Sequence, residues 1–326
     1  MNRRLLPMLL VAAGLVAAVP APAVAAKKIN VAVGVGDQSS TMFADPSWRA
    51  LGLKKTRYFI EWNAIDQPDQ LAAADRFVAA ARSARASVLM HISVDNINSF
   101  PTYLPRLSEY RSKVGALVRR YRPQGVRDWG VWNEANHKSQ PTTRNPKRAA
   151  QFYRSMRGMC SRCRIVALDV LDQAGVERYI ARWLKAAGSL GRRATVIGIH
   201  NYSEVNRRLK EKRSKSSLRK YPGTARIIKA VRKKNKKAKF WYTETGGVAN
   251  FGRAFPCDRR RQANRTKFMF DMIKRYDKDV ERLYSYNWFG TAGGGCQGFD
   301  AGLVEADGTP RAAYSVFKSK LRSARK

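Results

Sequence analysis

Apolar runs rich in β-branched and aromatic residues recur along the chain at near-regular spacing: INVAVGVG (29–36), TRYFIEW (56–62), SVLMHISV (87–94), VRDWGVWN (126–133), CRIVALDV (163–170), TVIGIHNY (195–202), KFWYTE (239–244) and RLYSYNWF (282–289). Their apolar character is nearly continuous and does not alternate with polar residues, as expected of strands buried on both faces. The segments between them follow the helical period. Ala74, Phe77, Val78 and Ala81 fall at i, i+3, i+4 and i+7, and Leu107, Tyr110, Val114, Leu117, Val118 and Tyr121 continue such a stripe. Further helical stretches run through 148–159, 176–187, 224–236, 264–276 and 310–323. Strands alternating with helices in this number predict an α/β fold, a (β/α)8 TIM barrel, as a single domain over residues 27–326. A doubly wound sheet would carry a glycine-rich phosphate loop after its first strand. Here Gly34 and Gly36 lead into Asp37 and Gln38 without the third glycine.

The chain opens MNRRLLPMLLVAAGLVAAVPAPAVAA, with basic residues at Arg3 and Arg4, an apolar core from Leu5 to Val19, and small residues around Ala23, Ala25 and Ala26. That pattern predicts a signal peptide over 1–26 and a protein that is secreted or held at the cell envelope. Interrupted by Pro7 and Pro20, the apolar run falls short of the ~20 residues of a membrane span, and no later segment is long enough. Four cysteines in an exported chain favour disulfides, and of the three pairings Cys160 with Cys163 and Cys257 with Cys296 is preferred. A single CxxC without a second ligand pair at finger spacing argues against zinc, and no metal or cofactor is expected.

Lys and Arg total 63 against 24 acids, a formal net charge of +39. Such a chain associates with polyanions, but no nucleic-acid recognition motif accompanies the charge, and specific nucleic-acid binding is not expected. The run 232–239 precedes the seventh strand and so belongs to the amino-terminal face of a barrel. The runs 207–220 and 258–265 follow strands six and seven and would rim the opposite face. There they would favour an acidic glycan. The same charge equally suits a solvated surface against an anionic envelope.

The candidate chemistry is two glutamates, each closing a strand-like run: Glu134 in WGVWNEANH and Glu244 in FWYTETGG. Glycosidic bonds break through an oxocarbenium-like transition state. That chemistry takes one carboxylic acid to protonate the leaving oxygen and one carboxylate at the anomeric carbon. Asn133 can donate to a sugar hydroxyl, and Trp132, Trp241 and Tyr242 offer flat apolar faces of the kind that pack on pyranose rings. Pairing of each glutamate with a neighbouring cation is the plain alternative. In this reading Glu134 is a general acid kept protonated by its surroundings, and Glu244 is the nucleophile. Asp95, Asp172 and Glu204 lie near other strand ends and are read as surface partners of Lys or Arg.

Glu134 would close strand four and Glu244 strand seven. In this the chain resembles the clan of retaining glycoside hydrolases with (β/α)8 barrels whose acid/base and nucleophile lie on those two strands. The resemblance runs over essentially the whole chain after the leader. It implies a substrate-binding set of Arg57 and Trp62 on strand two, His91 on strand three, Asn133 before the acid, His200 and Tyr202 as a His-x-Tyr on strand six, and Trp288 on strand eight beneath the sugar. Tyr202 would hydrogen-bond the nucleophile, and His137 is left as either structural or functional. The ending GLVEADGTPRAAYSVF also resembles the closing segment of these enzymes. The implied partner is a β-linked glycan, neutral or acidic, acted on by a monomer. A glycan-binding barrel without turnover is the alternative of a different class.

Overall fold

Eight parallel strands close into a barrel in the computed structural model, which describes residues 30–95, 103–207, 223–293 and 297–325. The leader, Cys296 and the basic run beyond Arg207 lie outside the described residues. In chain order the strands are β1 Ala32–Gly36, β2 Lys55–Glu61, β3 Ser87–Ser93, β4 Asp128–Gly130, β5 Arg164–Leu171, β6 Val196–His200, β7 Lys239–Thr245 and β8 Val280–Tyr286. Each pairs with its sequence neighbour. The circle closes where β8 meets β1, from Ala32 opposite Arg282 to Gly36 opposite Tyr286.

A helix follows every strand: α1 Pro46–Leu51, α2 Pro68–Ser83, α3 Leu107–Tyr121, α4 Pro146–Met159, α5 Val176–Ala187, α6 Thr224–Arg232, α7 Arg259–Arg275 and α8 Ala312–Arg325. Apolar stripes decide which face turns inward. On α5 the stripe is Val176, Tyr179, Ile180, Trp183, Leu184 and Ala187, and burying a side chain of this kind is worth ~1.5–3 kcal/mol. The sequence gives no periodic sign of α1, which is too short to show one. Local chemistry sets it instead, with Asp45 capping the Ser47 amide, Pro46 in the first turn and Gly52 at φ 58° ending it.

The barrel interior is layered by polarity. Near the amino ends of the strands lie Leu89, Val166, Val196, Trp241 and Tyr284. Arg282 stacks 3.8 Å over the Trp241 ring and donates to Asp128 at 2.5 Å, with Arg164 on the other carboxylate oxygen. Toward the carboxyl ends the buried set becomes polar: Arg57, His91, Asp169, His200 and Thr243. The β1–β8 seam is pinned by Asp37, whose Oδ2 accepts the amides of Trp288 and Phe289 while Oδ1 takes those of Gln38 and Ser39. Those contacts pull the chain off the ladder after Tyr286, so β8 ends earlier than its apolar run does. In the closing segment Arg311 is bound by Asp300 and Glu305, which brings the last loop into α8.

Cys160 ends α4, Cys163 precedes β5, and the two form a disulfide. The Cys257–Cys296 pairing falls partly outside the described residues, and peptide mapping of non-reduced protein is expected to recover it as one linked fragment. Arg282→Met should leave the Asp128 carboxylate underpaired in a buried site. Urea unfolding followed by circular dichroism is expected to show a loss of about 3 kcal/mol. A loss below about 1 kcal/mol would mean that Arg164 alone suffices.

Candidate active site

The carboxyl ends of β4, β6 and β7 bring the two glutamates together. After Gly130 the chain leaves the β4 ladder, yet Asn133 still donates its amide to Ile92 and Ala135 donates to Asp169. Between those anchors Glu134 takes φ +43°, a left-handed conformation that costs a residue with a side chain ~1 kcal/mol or more. Glu244 lies within β7 opposite His200, and the β5–β6, β6–β7 and β7–β8 pairings all shift register toward this end. Such irregularities re-aim side chains that a regular strand would alternate.

Both Glu244 oxygens are held. Arg57 donates to Oε2 at 2.7 Å and Tyr202 to Oε1 at 3.0 Å. Arg57, itself fully buried, also donates to Asn133 Oδ1 at 2.6 Å and to His91 Nδ1 at 3.4 Å. His91 Nδ1 therefore accepts and its proton sits on Nε2, 3.5 Å from Asp169 Oδ2. Burial pulls the His91 pKa down to about 3, with Asp169 opposing and Arg57 and His200 adding to the fall. His91 is thus a neutral spacer beneath Arg57. Its ring occupies the space that a Cβ on Gly130 would fill, 2.2 Å away.

His200 is the hub. Its Nδ1 lies 3.0 Å from Glu134 Oε1 and 3.8 Å from Glu244 Oε2, and its Nε2 lies 2.9 Å from Asp169 Oδ2. Laid end to end, the two Nδ1 distances place those glutamate oxygens at most about 7 Å apart, within reach of a single glycosidic bond. Burial alone would lower the His200 pKa, but the charges of Asp169 and Glu244 outweigh it and raise it to about 10. For Glu134, burial pushes upward, but the hydrogen bond and charge of His200, with His137 adding, hold the carboxyl below its ordinary value. This corrects the expectation of a Glu134 kept protonated by its surroundings. The proton rests on His200, one hydrogen bond away from Glu134.

Arg57, His91, Asn133, His200 and Tyr202 thus converge on the glutamates, and the expected aromatic floor does not. Trp288 is fully buried, its indole donated to Asp45 and its ring against Tyr314, because the chain has already turned off β8. Trp62 is 3% exposed beneath Tyr103 and Lys113. Trp132 is stacked on Phe152 with Tyr110 tilted 6.5 Å away, Trp241 lies deep in the barrel, and Tyr242 donates to Thr224. A half-buried ring at the mouth is Tyr286, the last residue of β8, whose pKa is raised by burial and by the nearby Glu244 and Asp37 charges.

Asp172 and Glu204 are also not surface partners of cations. Asp172 accepts the Ser203 and Glu204 amides, and Glu204 accepts that of Thr224. His137 bonds Ser139 at 2.7 Å and lies 3.8 Å from Glu134 Oε2. Asp169 is the residue not singled out from sequence.

No family model and no curated protein matches the chain. Among solved structures it is similar to a family 39 glycoside hydrolase from the gut symbiont Bacteroides cellulosilyticus WH2, at TM-score 0.58 and 15% identity over 91% of this chain; the match spans 64% of that protein's length. It is also similar to a psychrophilic family 10 endo-β-1,4-xylanase (TM-score 0.60, 13% identity, 88% of this chain and 96% of that one). A xylanase from Paenibacillus barcinonensis matches at TM-score 0.59 and 12% identity, over 88% of this chain and 95% of that one. At these identities the likeness is one of fold.

The chain has three histidines, so histidine-selective NMR resolves the hub directly. His200 is expected to be an imidazolium at pH 7 and to titrate near pH 10, while His91 stays neutral down to about pH 5. Because the folded His200 pKa lies above its unfolded value, its stabilising contribution is complete below about pH 6.5 and lost as pH rises through 10. A neutral His200 ring at pH 7 would place the proton on Glu134 instead.

Proposed function

We propose that the chain is a retaining glycoside hydrolase acting on β-linked glycans by double displacement. The observation that carries this reading is the pair Glu134 and Glu244 converging on one buried imidazole, with Arg57 and Tyr202 oriented on Glu244. The fold shared with family 10 and family 39 hydrolases supports it, as does the sequence resemblance.

Glu244, oriented by Arg57 and Tyr202, attacks the anomeric carbon, and the bond to the leaving oxygen breaks. The proton reaches that oxygen from Glu134, which draws it from His200 Nδ1 across their hydrogen bond. Esterification removes the Glu244 charge, one of the two that hold His200 cationic, so His200 releases its proton more readily as the intermediate forms. In the second half Glu134 takes a proton from water, returns it to His200, and the hydroxide displaces Glu244 with net retention. The leader supports export, and the surplus of cations supports residence at an anionic envelope. Among the described residues, no helix is long and apolar enough to cross a membrane.

The protein without its leader is to be incubated with neutral and acidic β-glycans and the product anomers followed by NMR. Retained anomers are expected. Glu134→Gln and Glu244→Gln should each cost on the order of a thousandfold in kcat while the fold is kept. Tight glycan binding without turnover would support the binding-barrel alternative, and near wild-type rates in both variants would falsify the assignment.

A further inference from the structure

Two large apolar side chains are exposed among the described residues, Tyr103 at 48% and Phe251 at 52%. Single exposed rings are ordinary on protein surfaces, so their placement decides what they mean. Both stand on loops at the carboxyl ends of strands, Tyr103 between β3 and α3 and Phe251 between β7 and α7. In the closed order β3 and β7 are four strands apart in either direction and therefore diametrically opposed. One ring therefore stands on each side of the mouth, on the face where the strand ends carry Glu134 and Glu244.

Each ring is held by a second. Phe251 belongs to a two-residue ribbon, Asn250–Phe251, paired antiparallel with Phe299–Asp300. Its ring lies 5.6 Å from that of Phe299, which in turn is 5.4 Å from Tyr202, the residue that holds Glu244. Phe299 also stacks on Tyr286 at 6.2 Å and 26°. The rings thus pack edge to face in one row, from Tyr202 beside the nucleophile through half-buried Phe299 to exposed Phe251. On the other bank Tyr103 leans on Trp62 at 6.0 Å, with its hydroxyl donated to Glu109 at 2.8 Å. Aromatic faces attract the axial C–H groups of pyranoses whose substituents are all equatorial. Charged or axially substituted faces fit them poorly.

Resting on the glycosidase reading, we infer that Phe251 with Phe299, and Tyr103 with Trp62, are outer sugar subsites on opposite banks. The cleft then holds an internal stretch of a β-linked polymer of equatorially substituted pyranoses and cuts it away from its ends. Trp62 serves here as the support of a subsite ring and not as its surface.

The test measures kcat/KM on xylo- and cello-oligosaccharides of two to six units, with the hexaose product pattern. For at least one series the wild type should prefer the hexaose and cut it at internal bonds. Phe251→Ala and Tyr103→Ala should each reduce the hexaose-to-disaccharide ratio about tenfold, with Phe251→Tyr restoring it. Wild-type ratios in both alanine variants, or release of terminal sugars alone, would overturn the inference. Calorimetry separates it from the glycosidase reading: hexaose binding weakened about tenfold by Phe251→Ala without any hydrolysis keeps the subsites and removes the activity. Absence of hexaose binding in both series overturns the subsites.

Discussion

The site depends on one carboxylate that water does not reach. Asp169 is fully buried, and an ion in that position costs several kcal/mol unless its environment compensates. Here His200 Nε2, His91 Nε2, the Thr243 hydroxyl and the Glu134 amide all converge on it. Burial pushes its pKa up, yet the charge and hydrogen bond of His200, with His91 and Arg57 adding, together outweigh that and hold the group well below the usual carboxylate range. Neighbouring features follow from this anion. It keeps His200 protonated, it fixes the His91 tautomer that leaves Nδ1 free to accept from Arg57, and its backbone and side chain meet the turn that presents Glu134. Even the glycine in β6 is explained, since a Cβ on Gly198 would lie 2.0 Å from Asp169 Oδ1.

The centre holds three carboxylates, Glu134, Glu244 and Asp169, against two cations, Arg57 and His200. It is therefore locally anionic inside a strongly cationic protein. Proton transfers at the centre are governed by partners within hydrogen-bond reach, because the many surface cations act through solvent and are screened over about 10 Å at moderate salt.

The barrel was legible because apolar runs and helical stripes are one-dimensional signals, and α1 escaped because six residues show no period. The pair that meets at His200 was legible as two glutamates at strand ends. The aromatic surroundings were not, for a reason visible at β7: side chains alternate along a strand and descend with it, so Trp241 lies deep in the barrel and Tyr242 faces α6. Trp288 falls within the eighth apolar run, whereas the ladder stops at Tyr286 because Asp37 takes the Trp288 and Phe289 amides. Asp169 did carry a signal, as the lone acid within an apolar strand run, RIVALDVL. Its partners come from β3, β6 and β7, which only the closed barrel brings together.

The left-handed backbone at Glu134 has an evolutionary consequence. Glycine or asparagine would occupy that φ with less strain, so drift toward a firmer fold leads away from the carboxylic acid. A chain that keeps glutamate there accepts a small standing loss of stability. Descendants of this protein released from selection on the carboxylate should lose it early, while Asp169, on which the surrounding packing relies, persists.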